Sequence, residues 1–455
     1  MISRDGMTAS LSLAVVGSGI AGLSAAWLLS QKHHVTLFER DGRAGGHSNT
    51  VDVPSADGPV AVDTGFIVYN TACYPNLIAL FDHLEVPTAP TSMGFSVSLD
   101  SGRYEYSGNG LRGLFGQMSN LGRPSHWRMI ADMLRFFAEA RGNVVSLETA
   151  DGPTLGDYLA ARHYSDAFVS RHILPMAAAI WSTPSADVMH YPAASFLRFF
   201  ANHGLLQVND RPAWQTVVGG SRTYVERMLV AMRGKVNLGA PVSAIARTPA
   251  GVTVGHGDRR DDFDACVIAT HADDALSLLR DPDDRERRVL GAFRYTPNRA
   301  ILHSDPAFMP RRRRLWSSWN YLAGGSDPKS PLSLTYWMNA LQPLGTRRDL
   351  FVTLNPAQPI NEESFCAAFD YRHPLFDTAA TGAQRELWSL QGRRNTWFCG
   401  SYFGYGFHED GLQAGLAVAE AIGGVRRPWH VPDESGRIQI GSRATSTPPL
   451  VEAAA

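Results

Sequence analysis

Apolar positions gather into short runs near both ends and in the middle of the chain, with helical stripes between them. The first run, Leu13-Ala14-Val15-Val16, reads as a strand. It breaks at Gly17-Ser18-Gly19-Ile20-Ala21-Gly22, and a helix-compatible segment, Ala21 to Leu29, follows at once. A second run, His34-Val35-Thr36-Leu37-Phe38, predicts the next strand and ends in Glu39. Val60 to Ile67 is a further strand, turning at Asp63-Thr64-Gly65.

From about 71 to 230 the texture becomes helical, with many aromatics and prolines. Trp127, Ile130, Leu134 and Phe137 fall at i, i+3, i+7 and i+10, with Arg128, Asp132, Arg135 and Glu139 off that stripe, the mark of an amphipathic helix. Such a helix either packs on its own domain, or lies at a surface and touches a membrane or guards an apolar tunnel. Strand character returns over 235–270 and again at Thr396 to Gly400. A closing helix is expected from about Leu412 to Ile422. The stretch after Arg426 is rich in Pro, Ser, Thr and Ala, the composition of a flexible tail.

Composition narrows the class. Hydrophobic content of 44% and a net charge of −1 fit a globular protein with no pull toward nucleic acid. Only three lysines occur, Lys32, Lys235 and Lys329, so almost all positive charge is arginine. Cys73, Cys266, Cys366 and Cys399 show no metal spacing or paired motif, so a reduced intracellular protein without a metal site is expected. Met1 to Ser12 lacks the charged and apolar regions of a secretory signal, and no run is long enough to span a bilayer. The expected location is cytoplasmic, with peripheral contact at the inner face of the membrane left open. Oligomeric state is left open too.

The glycine turn has a mechanism. Gly17 permits the tight turn, Gly19 admits a pyrophosphate to the backbone, and Gly22 lets the helix pack on the sheet with its N-terminus facing the phosphates. Glu39 stands where an acid meets the ribose hydroxyls. Together these features predict a dinucleotide-binding unit.

In its order of motifs, residues 11–425 resemble the flavoprotein superfamily of amine oxidases, protoporphyrinogen oxidase and phytoene desaturases. Gly17, Gly19, Gly22 and Glu39 match its opening fingerprint, Arg43 with Gly45-Gly46 its R-x-G-G element, and Asp63-Thr64-Gly65 its D-x-G turn beside the flavin. Val242 takes the place of its adenine-side strand residue, and Gly400 with Gly411-Leu412 looks like its closing element. The resemblance implies FAD rather than NAD. It implies an α/β fold, a Rossmann-like FAD-binding domain with a parallel sheet between helices, built from 11–70, 231–275 and 391–425. An interleaved α+β substrate domain would occupy 71–230 and 276–390, with flexible tails at 1–10 and 426–455. The expected cofactor contacts are Gly17, Ser18, Gly19, Ile20, Ala21, Gly22, Glu39, Arg40, Arg43, Gly45, Gly46, His47, Thr64, Gly65, Phe66, Ile67, Val242, Gly400, Ser401, Gly411 and Leu412.

More narrowly, Gly406 to Gly411, Arg43 to Thr50 and Trp316 to Tyr321 are similar to FAD-binding oxidoreductases associated with cyclopropane-fatty-acid-synthase-like methyltransferases. That likeness implies a fatty acyl substrate and a lipid methyltransferase as a partner. The lysine that amine oxidases place near the flavin has no counterpart in Tyr295 to His303, and after residue 280 only Lys329 remains, in the turn-like 325–329. The chain lacks the cysteine motif for covalent FAD, and Cys399 reads as a small buried strand residue. His408 and Glu409 either shuttle a proton at the ring edge or, with Asp410, cap the closing helix. Tyr405 is a candidate for an aromatic cage. Arg311 to Arg314 beside Trp316 and Trp319 form either a headgroup patch or a solvated face. The favoured function is removal of a hydride from a hydrophobic substrate, best a lipid acyl chain. Alternatives are a flavin amine oxidase and a non-catalytic, FAD-stabilised partner of a lipid methyltransferase.

Overall fold

A computed structural model describes residues 10–56, 58–143, 152–181, 188–202, 206, 212–324 and 332–441. Its organising layer is a five-stranded parallel sheet in the order Lys235–Asn237, His34–Phe38, Ser12–Val16, Ala265–Ile268, Thr396–Phe398. Leu13 pairs with Val35 on one side and Ala265 on the other. Leu13, Ala14 and Val15 are wholly buried, as expected of a strand covered on both faces.

The helix Ile20–Leu29 has no exposed residue, because the closing helix, His408–Ile422, crosses over it. Glycine sets how closely they approach. A Cβ on Gly415 would stand 2.2 Å from the Ala21 carbonyl oxygen, and one on Gly22 only 1.8 Å from that of Gly17. The closing helix starts at His408, four residues before the expected Leu412, because the Asp410 carboxylate accepts the Phe407 N–H at 2.8 Å and caps it.

A seven-stranded mixed sheet forms the second body, in the order Phe365–Leu375, Arg294–His303, Phe351–Leu354, Leu332–Trp337, Trp319–Ala323, Phe95–Leu99, Tyr104–Ser107. A helical layer built on Pro124–Asn143, Leu155–Ala161 and Ala193–Asn202 encloses Phe136, Phe168, Phe196 and Phe200. The predicted stripe lies on the first of these helices, but it is not simply the core face. Trp127 and Leu134 are about half exposed, at 49% and 51%, while Met129 and Phe136 are fully buried.

The flexible tail expected after residue 425 is corrected over 426–441. Trp429 stacks on Trp27 at 5.9 Å, the buried Arg427 pairs with Glu420 at 2.8 Å, and Arg437 pairs with Asp410 at 2.6 Å. Two arginines and one tryptophan anchor a segment whose average composition looks unstructured. Residues 1–9, 442–455 and the 325–329 turn with Lys329 lie outside the described residues. Among the described residues, no helix is long and apolar enough to cross a membrane.

Candidate active site

One cavity of about 1190 Å³ runs from the carboxyl end of the parallel sheet, between the two bodies, to the helix Pro124–Asn143. Its first part is made largely of backbone. Gly17 is held at φ +100°, where a Cβ would meet the Ala269 carbonyl oxygen at 2.8 Å. Gly19 differs, since a Cβ there would meet no atom within 4 Å and would project into open space at the start of the helix. Gly22 and Gly19 therefore act separately, one for packing and one for access.

Glu39 is buried behind this turn. One carboxylate oxygen accepts both the Ser18 N–H at 2.9 Å and the Ser18 hydroxyl at 2.5 Å. The other accepts the Asp41 N–H at 3.0 Å and keeps one lone pair; Glu39 lines the cavity. Arg43 lines the wall and also braces it, donating to the Gly46 carbonyl at 2.8 Å and the Ser48 carbonyl at 3.2 Å. The Gly65 backbone packs so closely on His47 that a Cβ would fall 2.1 Å from its carbonyl oxygen. Asp63 fastens the adjoining strand, accepting from Ser221, Thr50 and Gln342; burial lifts its carboxyl to about 6.

Of the expected cofactor contacts, Gly17 to Ala21, Glu39, Arg40, Arg43, Gly45 to His47, Thr64 to Ile67, Val242, Gly400, Ser401 and Gly411 all line the cavity. Gly22 sits behind the wall, and Leu412 is fully buried in the closing helix.

Where the cradle meets the seven-stranded sheet, imidazoles converge. His408 stacks flat on Phe66 at 3.8 Å, and its Nε2 is 2.7 Å from the Tyr224 hydroxyl and 3.1 Å from Ser48 Oγ. His47 stacks on Tyr371 at 4.9 Å and lies 5.5 Å from His373 and 6.1 Å from His271. Burial drives all four imidazoles down, His408 and His373 to about 3, His47 and His271 to about 4. They are neutral at physiological pH. His47 Nε2 is a buried nitrogen with no hydrogen-bond partner in the structure.

The catalytic candidates separate sharply. His408 reaches the cavity, but it does not titrate near neutrality as a shuttle would, because it is desolvated beneath Phe66 and faces hydroxyls. Glu409 is corrected outright. Its side chain is fully buried away from the cavity and accepts from the Asn76 N–H at 3.1 Å, the Leu77 N–H at 3.0 Å and the Gln413 amide at 2.9 Å. It caps a neighbouring helix, Pro75–His83, instead of its own. Tyr405 lines the cavity, yet the Arg437 guanidinium sits 5.6 Å from its ring centroid, so one ring face is already taken. Of Arg311 to Arg314, two are engaged within the protein. Arg312 pairs with the buried Glu105 at 2.6 Å, and Arg313 lies 4.4 Å over Trp316.

Ile130, Leu134 and Phe137 of the predicted stripe line the far part of the cavity, where one alternative reading of that helix puts an apolar tunnel. Met93, Phe95, Leu114 and Met133, which line it too, were not singled out by the sequence. The second sheet and the helical layer contribute this lining. Phe369, Tyr371 and His373 were missed too, although they follow one another at i, i+2 and i+4 on a single strand face. Within this arm sits His172, whose Nδ1 is 3.0 Å from the Tyr106 hydroxyl; since that hydroxyl also donates to the Arg171 carbonyl, His172 Nδ1 carries the proton.

The model of the flavin containing amine oxidoreductase family matches residues 20–339, well over half of the chain. The chain belongs to that family. A Mycobacterium tuberculosis protein named as a flavin-containing monoamine oxidase, AofH, is 28% identical over 279 residues, or 59% of this chain. The match spans 58% of that relative's own length. The fold is shared with the CLA-producing fatty acid isomerase from P. acnes at TM-score 0.65 and 16% identity, over 93% of this chain and 99% of that one. Putrescine oxidase bound to putrescine superposes at TM-score 0.67 and 16% identity, over 91% and 99%. The family's cofactor is FAD, and the site fits it. Gly19 leaves room for phosphate at a helix N-terminus, Glu39 keeps a lone pair for a ribose hydroxyl, and His47 Nε2 is an unused polar atom in the wall.

Proposed function

We propose that this flavin oxidoreductase oxidises an acyl chain of a lipid, or a substrate of the same long apolar kind. The observation that carries this reading is the arm. It is continuous with the cradle, and the part lined by Met93, Phe95, Leu114, Ile130, Met133 and Phe137 offers methylene and aromatic surface with no carboxylate among those residues. An alkyl chain gains about 0.8 kcal/mol for each methylene buried in such a channel, whereas an ammonium ion would be desolvated there without a counter-charge.

Bound FAD supplies a hydride acceptor. The chain's own residues supply the rest: an apolar channel that excludes water, and neutral imidazoles in its wall that can orient a bound group by hydrogen bonding. His47 is the best placed of these, since its Nε2 is unpartnered. The likeness to oxidoreductases associated with cyclopropane-fatty-acid-synthase-like methyltransferases points to the same substrate class. The match to AofH favours a second reading, amine oxidation.

An anaerobic titration of the FAD-loaded protein separates the two. Phospholipid extract in detergent micelles is expected to bleach the visible flavin band, and a panel of primary and secondary amines to leave it intact. Bleaching by amines alone would overturn the acyl-chain reading.

A further inference from the structure

Half of the large hydrophobic side chains exposed among the described residues come from one short stretch. Leu111 is 74% exposed, Met118 62%, Leu121 46%, Trp127 49% and Leu134 51%. All five lie within residues 111–134. Gly110–Leu114 and Met118–Gly122 are consecutive turns leading into Pro124–Asn143. The Trp127 indole donates to the Leu121 carbonyl at 2.9 Å, and its ring lies 4.9 Å from Phe115. An apolar group of this size at the surface of a monomer calls for an occupant.

Leu111 and Leu134 also line the cavity. Being both exposed and part of its wall, they mark where the apolar arm opens, so the patch is the rim of the substrate channel. Charge favours one kind of occupant. Residues 110–135 contain Arg112, Arg123, Arg128 and Arg135 against Asp132 alone, in a chain of net charge −1. Asp132 engages Arg128 and Arg135, at 3.4 and 3.1 Å. Among the described residues no carboxylate pairs with Arg112 or Arg123. An apolar rim carrying tryptophan and flanked by arginines complements the acyl and headgroup layers of an anionic bilayer.

We infer that the Leu111–Leu134 rim docks the protein onto an anionic lipid bilayer, placing the mouth of the apolar arm against the acyl layer. The inference rests on the acyl-chain reading for its purpose, but its test does not use turnover. The FAD-loaded full chain is sedimented with phosphatidylcholine vesicles, with and without phosphatidylglycerol. It should partition to the mixed vesicles, and less so at high salt. Met118→Glu with Leu121→Glu, positions exposed on the rim but outside the cavity wall, should weaken partition by about tenfold or more while FAD stays bound. Arg112→Gln should weaken it by about fivefold on anionic vesicles only.

Failure to bind either vesicle, or binding that the double variant leaves unchanged, would overturn the inference. So would concentration-dependent self-association that the double variant abolishes in the absence of vesicle binding, since the rim would then cover a second copy. Flavin bleaching by lipid in micelles without vesicle binding would sink the docking and keep the acyl-chain reading. Vesicle binding without bleaching would do the reverse.

Discussion

The two ends of the cavity are built by opposite means. The cradle is backbone: glycines at 17, 19, 45, 46 and 65, a helix N-terminus, and one buried acid behind them. The arm is side chain: methionines, phenylalanines and leucines from strands and helices far apart in sequence. A backbone site recognises what every FAD molecule has in common, its pyrophosphate and ribose. A side-chain site can be resized without disturbing the fold, which is how amine oxidases and a fatty acid isomerase come to share one architecture.

The largest expected effects would break this division if they failed. Gly19→Val puts a branched side chain into the cradle without meeting protein atoms at its Cβ. It should fold yet lose FAD by several kcal/mol, read as flavin lost on gel filtration with circular dichroism unchanged. Met133→Trp narrows the arm. It should keep FAD fully and cut flavin reduction by long acyl chains about tenfold or more, while sparing short ones. Loss of FAD from the second variant would show that the two ends are not independent.

Between the ends lies the imidazole cluster, and pH probes it. His47, His271, His373 and His408 of the cluster, His172 in the arm and His303, buried in the second sheet outside the cavity wall, are all lowered by burial from 6.5 to about 3 or 4. The unfolded chain takes up protons near 6.5 and the native protein does not. Stability is therefore full above that pH and falls as pH drops from about 6.5 toward 4. At pH 5 the loss is about 2 kcal/mol per imidazole. Asp63, raised to about 6, works in the opposite direction over the same range. So do Glu409 and Asp410, whose carboxyls burial also pushes up, but the six imidazoles outnumber these three groups. Urea midpoints measured at pH 7 and pH 5 check this, and His47→Gln should flatten the difference.

The smallest effect separates capping from catalysis. Glu409→Gln removes the charge that receives the Asn76 and Leu77 N–H groups. It should cost about 1 kcal/mol in thermal unfolding and leave the rate of flavin reduction unchanged. A slowed reduction with unaltered stability would return Glu409 to the active site.

Much of the cradle was legible because its chemistry is local. The Gly17–Glu39 unit, the Arg43–His47 element and the Asp63–Gly65 turn each carry their meaning within a few residues, where glycine spacing dictates backbone shape. Glu409 was misjudged because a carboxylate beside a helix start serves whichever N-terminus comes nearest, and only packing brings Asn76 there. The stretch 426–441 was misjudged because Arg427, Trp429 and Arg437 find partners in Asn76, Trp27 and Cys73, hundreds of residues away.

By itself, then, the order of residues determined the parallel sheet, the glycine turn and the nucleotide-binding end, since strand period, turn sterics and helix polarity act over short distances. The tertiary structure alone decided what the site can hold. Tyr224 meets His408 across 184 residues of chain. Phe95 and Trp319 face one another as paired strand neighbours at the arm. A cavity is the space left between packed surfaces, and no local pattern of residues encodes a space.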